Sequence, residues 1–249
     1  MNVVAEMVGD WLGKQTTSPL PNYHSALRDA CEECPPPFGE KYYGEIYRGV
    51  AGYAEWLASS LVVNAASEGD GSTRLWELAS FTPDRNISNQ IKQHSIDEAR
   101  HSRWYIAILD LTFPGSTDKK FHEQLETLSP GYTMTSPPST NKSSPYAHPI
   151  TVDDLIQMNI AEIRTCVHHL LQRPMLLVHC PPRRHPKLLR LLDSLLADEI
   201  KHISYTANLI EDFAARGNSR PVNDLMKTRV NDFNEITRNE LGRNVFETT

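Results

Sequence analysis

Glutamate and histidine recur in this chain in one arrangement, spelled twice: Asp97-Glu98-Ala99-Arg100-His101 and Asp198-Glu199-Ile200-Lys201-His202. Of the ten histidines, only His101 and His202 have a glutamate three residues upstream, and both of those glutamates follow an aspartate. On an α-helix, positions i and i+3 share a face one turn apart, so each carboxylate projects together with its imidazole. Oxygen and nitrogen donors presented in this way suit a divalent metal ion. A lone Glu-x-x-His arises by chance on a solvated helix face. Two copies, each inside a long helical pattern, define a candidate metal site.

The periodicity predicts four long helices to carry such a site. The first spans about 41–67, where Tyr43, Ile46, Tyr47, Val50, Ala54, Leu57 and Leu61 recur at helical spacing and Gly69 and Gly71 supply a stop. Gly49, Ala51, Gly52, Ala54 and Ala58 leave its centre slim. A short helix over Leu75–Phe81 follows, and Thr82-Pro83-Asp84 then starts the second long helix, about 84–113, which holds the first motif. The third runs about 152–173, from a capped start at Thr151-Val152-Asp153-Asp154 to the residue before Pro174. The fourth, about 187–216, holds the second motif and closes at Gly217. Residues 1–40 read as two short helical stretches packed on the body, and Val222, Leu225, Met226, Phe233 and Ile236 as a C-terminal amphipathic helix. The connection over 114–150, rich in Ser, Thr and Pro, has room for a small helix near Lys120–Leu128. A segment that long covers a site or crosses the fold in most compact domains. Strand-type alternation is absent, so the expected class is all-α within one domain over 1–249.

Antiparallel helices place residues equidistant from their turn at the same height. Reflection about Cys180 sets Glu199 level with residues near 161. Glu162 lies there, the only carboxylate between Leu155 and Arg173. The same construction about the 69–83 break sets Glu98 level with residues near 54, which selects Glu55, with Glu45, Glu68 and Glu77 as rivals.

The resulting set, Glu55, Glu98-x-x-His101, Glu162 and Glu199-x-x-His202, resembles the ferritin-like di-iron carboxylate proteins, in their oxygenase and oxidase branch. In that superfamily one Glu comes from each of two helices and a Glu-x-x-His from each of the other two. The order of ligands and the long crossover between the second and third helices both match over about 41–216. The resemblance implies a ferritin-like four-helix bundle with additional N- and C-terminal helices, two iron ions (manganese being an alternative) and O2 as co-substrate. By likeness to the bacterial multicomponent monooxygenases, Asp97 would hold His202 and Asp198 would hold His101, each carboxylate taking the imidazole N–H that faces away from the metal. His94, four residues before Glu98, is a possible extra ligand. In the arylamine N-oxygenases the extra histidine lies on the last helix, where this chain has Leu195. Tyr105, one turn past His101, matches the spacing of the tyrosine in the radical subunit of class I ribonucleotide reductase, and also suits a core position. His168 and His169 are expected at the surface or lining a pocket.

Bulk properties bound the remaining classes. The 249 residues, 39% hydrophobic and 22% charged, are ordinary for a globular chain. A formal net charge of −6 without a basic stripe argues against nucleic acid. No apolar run reaches membrane-span length. The N-terminus lacks the features of a signal peptide, so a cytoplasmic location is expected. Cys31-Glu32-Glu33-Cys34 has no second pair for a four-cysteine metal centre, and the four cysteines read as reduced thiols. The function expected is an oxidoreductase: a non-haem di-iron monooxygenase or oxidase acting on a small organic molecule by hydroxylation, N-oxygenation, desaturation or carbon–carbon cleavage. A ferredoxin or reductase would supply the electrons, and a homodimer is the expected assembly. The alternative is a radical-storing protein similar to the ribonucleotide reductase subunit, using Tyr105.

Overall fold

The computed structural model describes residues 2–15, 18–134 and 141–240. They are overwhelmingly helical, and no strand occurs among the described residues. The helices are α1 (Val3–Gln15), α2 (Pro21–Glu33), α3 (Lys41–Ala51), α4 (Ala54–Phe81), α5 (Arg85–Thr112), α6 (Lys119–Glu126), α7 (Val152–His179), α8 (His185–Phe213) and α9 (Ser219–Glu240). The all-α class is therefore shown. Two compact units divide the chain: residues 1–49, 151–172 and 196–249 in one, residues 50–150 and 173–195 in the other.

In the 50–150 unit, α4 and α5 form an antiparallel pair closed by Thr82-Pro83-Asp84. Asp84 caps α5 by accepting from the backbone N–H groups of Asn86 and Ile87. Three serine contacts set the register. Ser88 Oγ donates to the Ala79 carbonyl (2.6 Å), Ser95 Oγ to Ser72 (2.7 Å) and Ser102 Oγ to Ala65 (2.7 Å). These steps of seven residues keep one small-residue seam facing the partner helix over its length. At the far end Arg184 Nη1 donates to the Asp110 carbonyl (2.7 Å), satisfying a carbonyl that the end of α5 leaves open.

The helix predicted over 41–67 is two helices, interrupted at Gly52-Tyr53, and its expected stop is wrong. Gly69 and Gly71 lie inside α4, which absorbs the short 75–81 helix. Gly69 serves a close approach instead: a Cβ there would collide with the carbonyl oxygen of Leu128. The 114–150 connection is held along α4 by that contact and by others. Tyr132 packs on Trp76 at 5.1 Å, Ser144 bonds to Glu77, and the Ile150 N–H donates to Thr82 Oγ1 (3.1 Å). Ser129 Oγ adds a bond to the Ala99 carbonyl on α5 (2.7 Å). The small helix predicted within the connection is α6.

In the other unit, α7 opens on the expected capping box, with Thr151 N–H donating to Asp154 (2.9 Å) and Asp154 N–H to Thr151 Oγ1 (3.2 Å). It does not stop before Pro174. Proline inside a helix costs about 3 kcal/mol, yet the helix continues past Pro174 and buries Leu176. Asn159 ties α7 to α8, donating to the Ile203 carbonyl (3.1 Å) and to Thr206 Oγ1 (2.9 Å). Its own Oδ1 accepts from the Tyr23 hydroxyl (2.7 Å), which fixes α2 as well. Glu211 on α8 accepts from the Tyr23 backbone N–H (2.8 Å) and from Asn22 (2.7 Å), closing the start of α2. Gly217 takes φ +92° and turns the chain from α8 into α9, whose Val222, Met226 and Val230 are buried.

Candidate functional site

The two copies of the repeated motif fall on α5 and α8, and in both the Glu and His are buried. Glu98 and His101 are 5% and 0% exposed, Glu199 and His202 0% and 2%. Ionised carboxylates are almost never buried without a positive or hydrogen-bonding partner, since desolvation costs several kcal/mol each. Their burial separates these residues from a solvated helix face.

On α5, Glu98 Oε1 lies 3.6 Å from His101 Nδ1 and 3.1 Å from His94 Nε2. His94 is 1% exposed and shares the inward face one turn before Glu98. A carboxylate oxygen of Glu68 on α4 lies within 4.8 Å of a His101 ring nitrogen. Glu55, the sequence choice for this helix, is exposed in the first turn of α4 and belongs to no His/Glu cluster among the described residues. The correction has a simple origin. The turn lies at 82–84, and the serine register about it sets Glu68, not Glu55, at the height of the motif. Glu68 had been a rival. The misjudged quantity was where α4 ends. Trp104 packs beside His101 with ring centres 5.5 Å apart, and Arg100 lies over Trp104 at 4.9 Å.

On α8, His202 Nδ1 and Glu199 Oε2 are 3.0 Å apart. Glu162 on α7 is buried, with a carboxylate oxygen within 4.8 Å of a ring nitrogen of His202. Both helix ends fall near Cys180, the turn centre from which the sequence selects Glu162. Ile163 and Cys166 are buried on the same stretch of α7. Burial first, then the charges of Glu199 and Glu162, hold the Cys166 thiol well above the ordinary thiol range.

The neighbouring aspartates are also buried. Asp97 accepts from Gln93 (3.0 Å) and pairs with Arg100 (2.7 Å), while Asp198 pairs with Lys201 (2.8 Å). Tyr105 is buried at 2% exposure. Of His168 and His169, expected at a surface or pocket, His169 is buried and His168 is half-buried among Phe38, Tyr43 and Tyr47. Sequence spacing held no signal for that, because its partners are 121 or more positions away. The Cys31 thiol, buried and beside Cys34, is pushed up to about 12 and resists ionisation. All four cysteines are free.

His/Glu side chains that could help hold a metal ion stand together in each unit: Glu68 near His101 and His94 near Glu98 in one, Glu162 and Glu199 near His202 in the other. The donors are carboxylate oxygens and imidazole nitrogens with no thiolate ligand, a set that suits iron, manganese or zinc rather than copper(I) or an iron–sulfur cluster. A divalent cation would also neutralise carboxylates that burial otherwise penalises. The residues present fit a metal. No described helix is long and apolar enough to cross a membrane. No family model, curated protein or solved structure matches the chain. An all-helical chain with buried Glu-x-x-His clusters is nonetheless compatible with the ferritin-like pattern.

Proposed function

We propose that this chain is a ferritin-like oxidoreductase that binds iron through Glu68, Glu98 and His101 and through Glu162, Glu199 and His202, with manganese as the alternative occupant. The observation that carries the reading is the burial of both Glu-x-x-His pairs, each with one further Glu from the preceding long helix. A reduced iron pair with open positions supplies O2 binding and cleavage. The protein's own residues set what surrounds that chemistry. Asp97 and Asp198 orient the motif imidazoles by taking their outward N–H groups. Arg100 and Lys201 pair with these aspartates and hold them in place. His94 adds an imidazole beside Glu98, as an extra ligand or a hydrogen-bond donor to it. Ile163 and Cys166 add apolar surface near Glu162 in one unit, and Trp104 does so beside His101 in the other.

The substrate in this reading is a small organic molecule, oxidised by hydroxylation, N-oxygenation, desaturation or carbon–carbon cleavage. A ferredoxin or reductase supplies the electrons, and the working form is a cytoplasmic homodimer. The test is metal analysis of protein purified from iron-replete medium, followed by O2 consumption with reductant. Iron that co-purifies and is lost in Glu98→Ala and Glu199→Ala is the expected result. A metal-free protein, or a fully metallated and active Glu199→Ala variant, overturns the reading.

The burial of Tyr105 one turn beyond His101 favours a second reading, radical storage at that tyrosine. Exposure of the ferrous protein to O2 followed by electron paramagnetic resonance separates the two. A stable tyrosyl signal abolished in Tyr105→Phe selects storage.

A further inference from the structure

Two buried tyrosines in the same unit differ in what their hydroxyls touch. Tyr23 donates to Asn159 Oδ1 (2.7 Å), an amide oxygen that cannot accept a proton outright in this range. Tyr43 on α3, 1% exposed, shares a 2.6 Å hydrogen bond with Nε2 of His168 on α7. The two rings lie 5.8 Å apart with planes within 17°, so the hydroxyl meets the edge of the imidazole. Tyr47 lies against the same imidazole at 5.3 Å and 15°, with Phe38 edge-on at 6.5 Å.

The protonation states follow from the surroundings. Burial chiefly, then the charges of Arg164 and His169, holds His168 well below the ordinary imidazole value. Burial likewise raises the Tyr43 phenol above its ordinary value. The ground state is therefore a neutral phenol donating to a neutral imidazole. That contact is short enough for proton transfer without an intervening water.

We propose that Tyr43 and His168 form a redox-active pair that gives up one electron to a high-potential one-electron oxidant. The phenol loses the electron as its O–H bond breaks, and the proton passes to Nε2 of His168. The products are a neutral tyrosyl radical and an imidazolium, and the oxidant is reduced by one electron. Return of an electron from a reductant carries the proton back to the phenolate oxygen and restores the pair. Coupling the two transfers avoids a buried phenol radical cation, which neither desolvation nor the aromatic enclosure would tolerate. Tyr23, hydrogen-bonded to an amide, has no base to receive its proton and stays reduced. The inference rests on neither cluster binding a metal.

The test oxidises the whole chain with photogenerated tris(bipyridine)ruthenium(III), with no iron added, and records electron paramagnetic resonance after rapid freezing. A tyrosyl signal is expected in the unaltered protein. It should fall severalfold in Tyr43→Phe and persist in Tyr23→Phe. His168→Gln keeps a hydrogen-bond acceptor but removes the base. The yield or lifetime of the signal should then drop severalfold, and its solvent deuterium isotope effect should vanish. A purely structural histidine would leave that isotope effect unchanged. An undiminished signal in Tyr43→Phe overturns the proposal, as does an unchanged yield, lifetime and isotope effect in His168→Gln. The second outcome decides the matter if Tyr43→Phe fails to fold. Because no iron is used, failure here is distinguishable from failure of the metal reading.

Discussion

The helix pair α4/α5 and the pair formed by α7 and α8 carry the same chemical pattern, a Glu on the first helix and Asp-Glu-x-x-His on the second. They are fastened by different means. The α4/α5 pair relies on a seam of serine-to-carbonyl bonds repeated every seven residues, with Gly69 opening a groove that the Leu128 carbonyl fills. At α7 and α8 a buried amide, Asn159, is the hub: it bonds to α8 and also holds Tyr23 of α2, and the exposed Arg173–Asp193 pair adds a second link. A distributed seam loses little when one member is removed. A hub is expected to fail as a unit, since its loss removes three buried hydrogen bonds at once.

The comparison can be broken first at the metal ligands. Removing Glu199, the most buried carboxylate of the two motifs, should cost more bound metal than removing Glu98, whose loss leaves His94, His101 and Glu68 as donors in its unit. Metal content of the two alanine variants measured side by side checks the order. The next largest effect is on stability. Asn159→Leu strands the Tyr23 hydroxyl and removes both bonds to α8, and should cost about 2–5 kcal/mol, taking about 1–3 kcal/mol for the unsatisfied hydroxyl and about 0.5–1 kcal/mol for each bond lost. Ser95→Ala, within the seam, should cost only about 1 kcal/mol. Urea midpoints at constant slope measure both, and equal losses would remove the distinction between hub and seam.

Gly69→Ala should cost about 1–3 kcal/mol by overpacking. Unlike the serine variant, it should raise protease cleavage of the connection near Leu128, because that backbone must move. The smallest effect is a pH slope. Burial chiefly holds His168 and His24 below the ordinary imidazole value. As pH falls through about 6.5 the unfolded chain takes up protons that the native one resists, so stability declines on acidification. His168→Gln should flatten that decline in urea midpoints compared between about pH 7.5 and about pH 5.5. An unchanged slope would mean that His168 takes up protons equally in both states.

Much of this was legible in the sequence because it is local. The spacing of Glu98 to His101 and of Glu199 to His202 puts each pair on one helical face whatever the helices pack against. The Thr151–Asp154 capping box and the Gly217 turn are likewise settled by neighbours in the chain. Helix ends were less legible. Gly69 looked like a stop because isolated glycine destabilises a helix by about 1 kcal/mol, and Pro174 looked like one for its missing N–H. Both remain helical because packing outweighs propensity, and the first of these errors carried straight into the choice of Glu55.

The amino-acid sequence alone thus determined that the chain is all-α and that two Glu-x-x-His pairs each occupy one helix face, since both depend on contacts within a turn or two. Only the tertiary structure decided that Glu68 stands beside His101, that Asn159 joins three helices, and that Tyr43 meets His168 across 125 positions. Those pairings depend on where each helix ends and how deeply each face is buried. Both are set by contacts between distant segments, which no local spacing records.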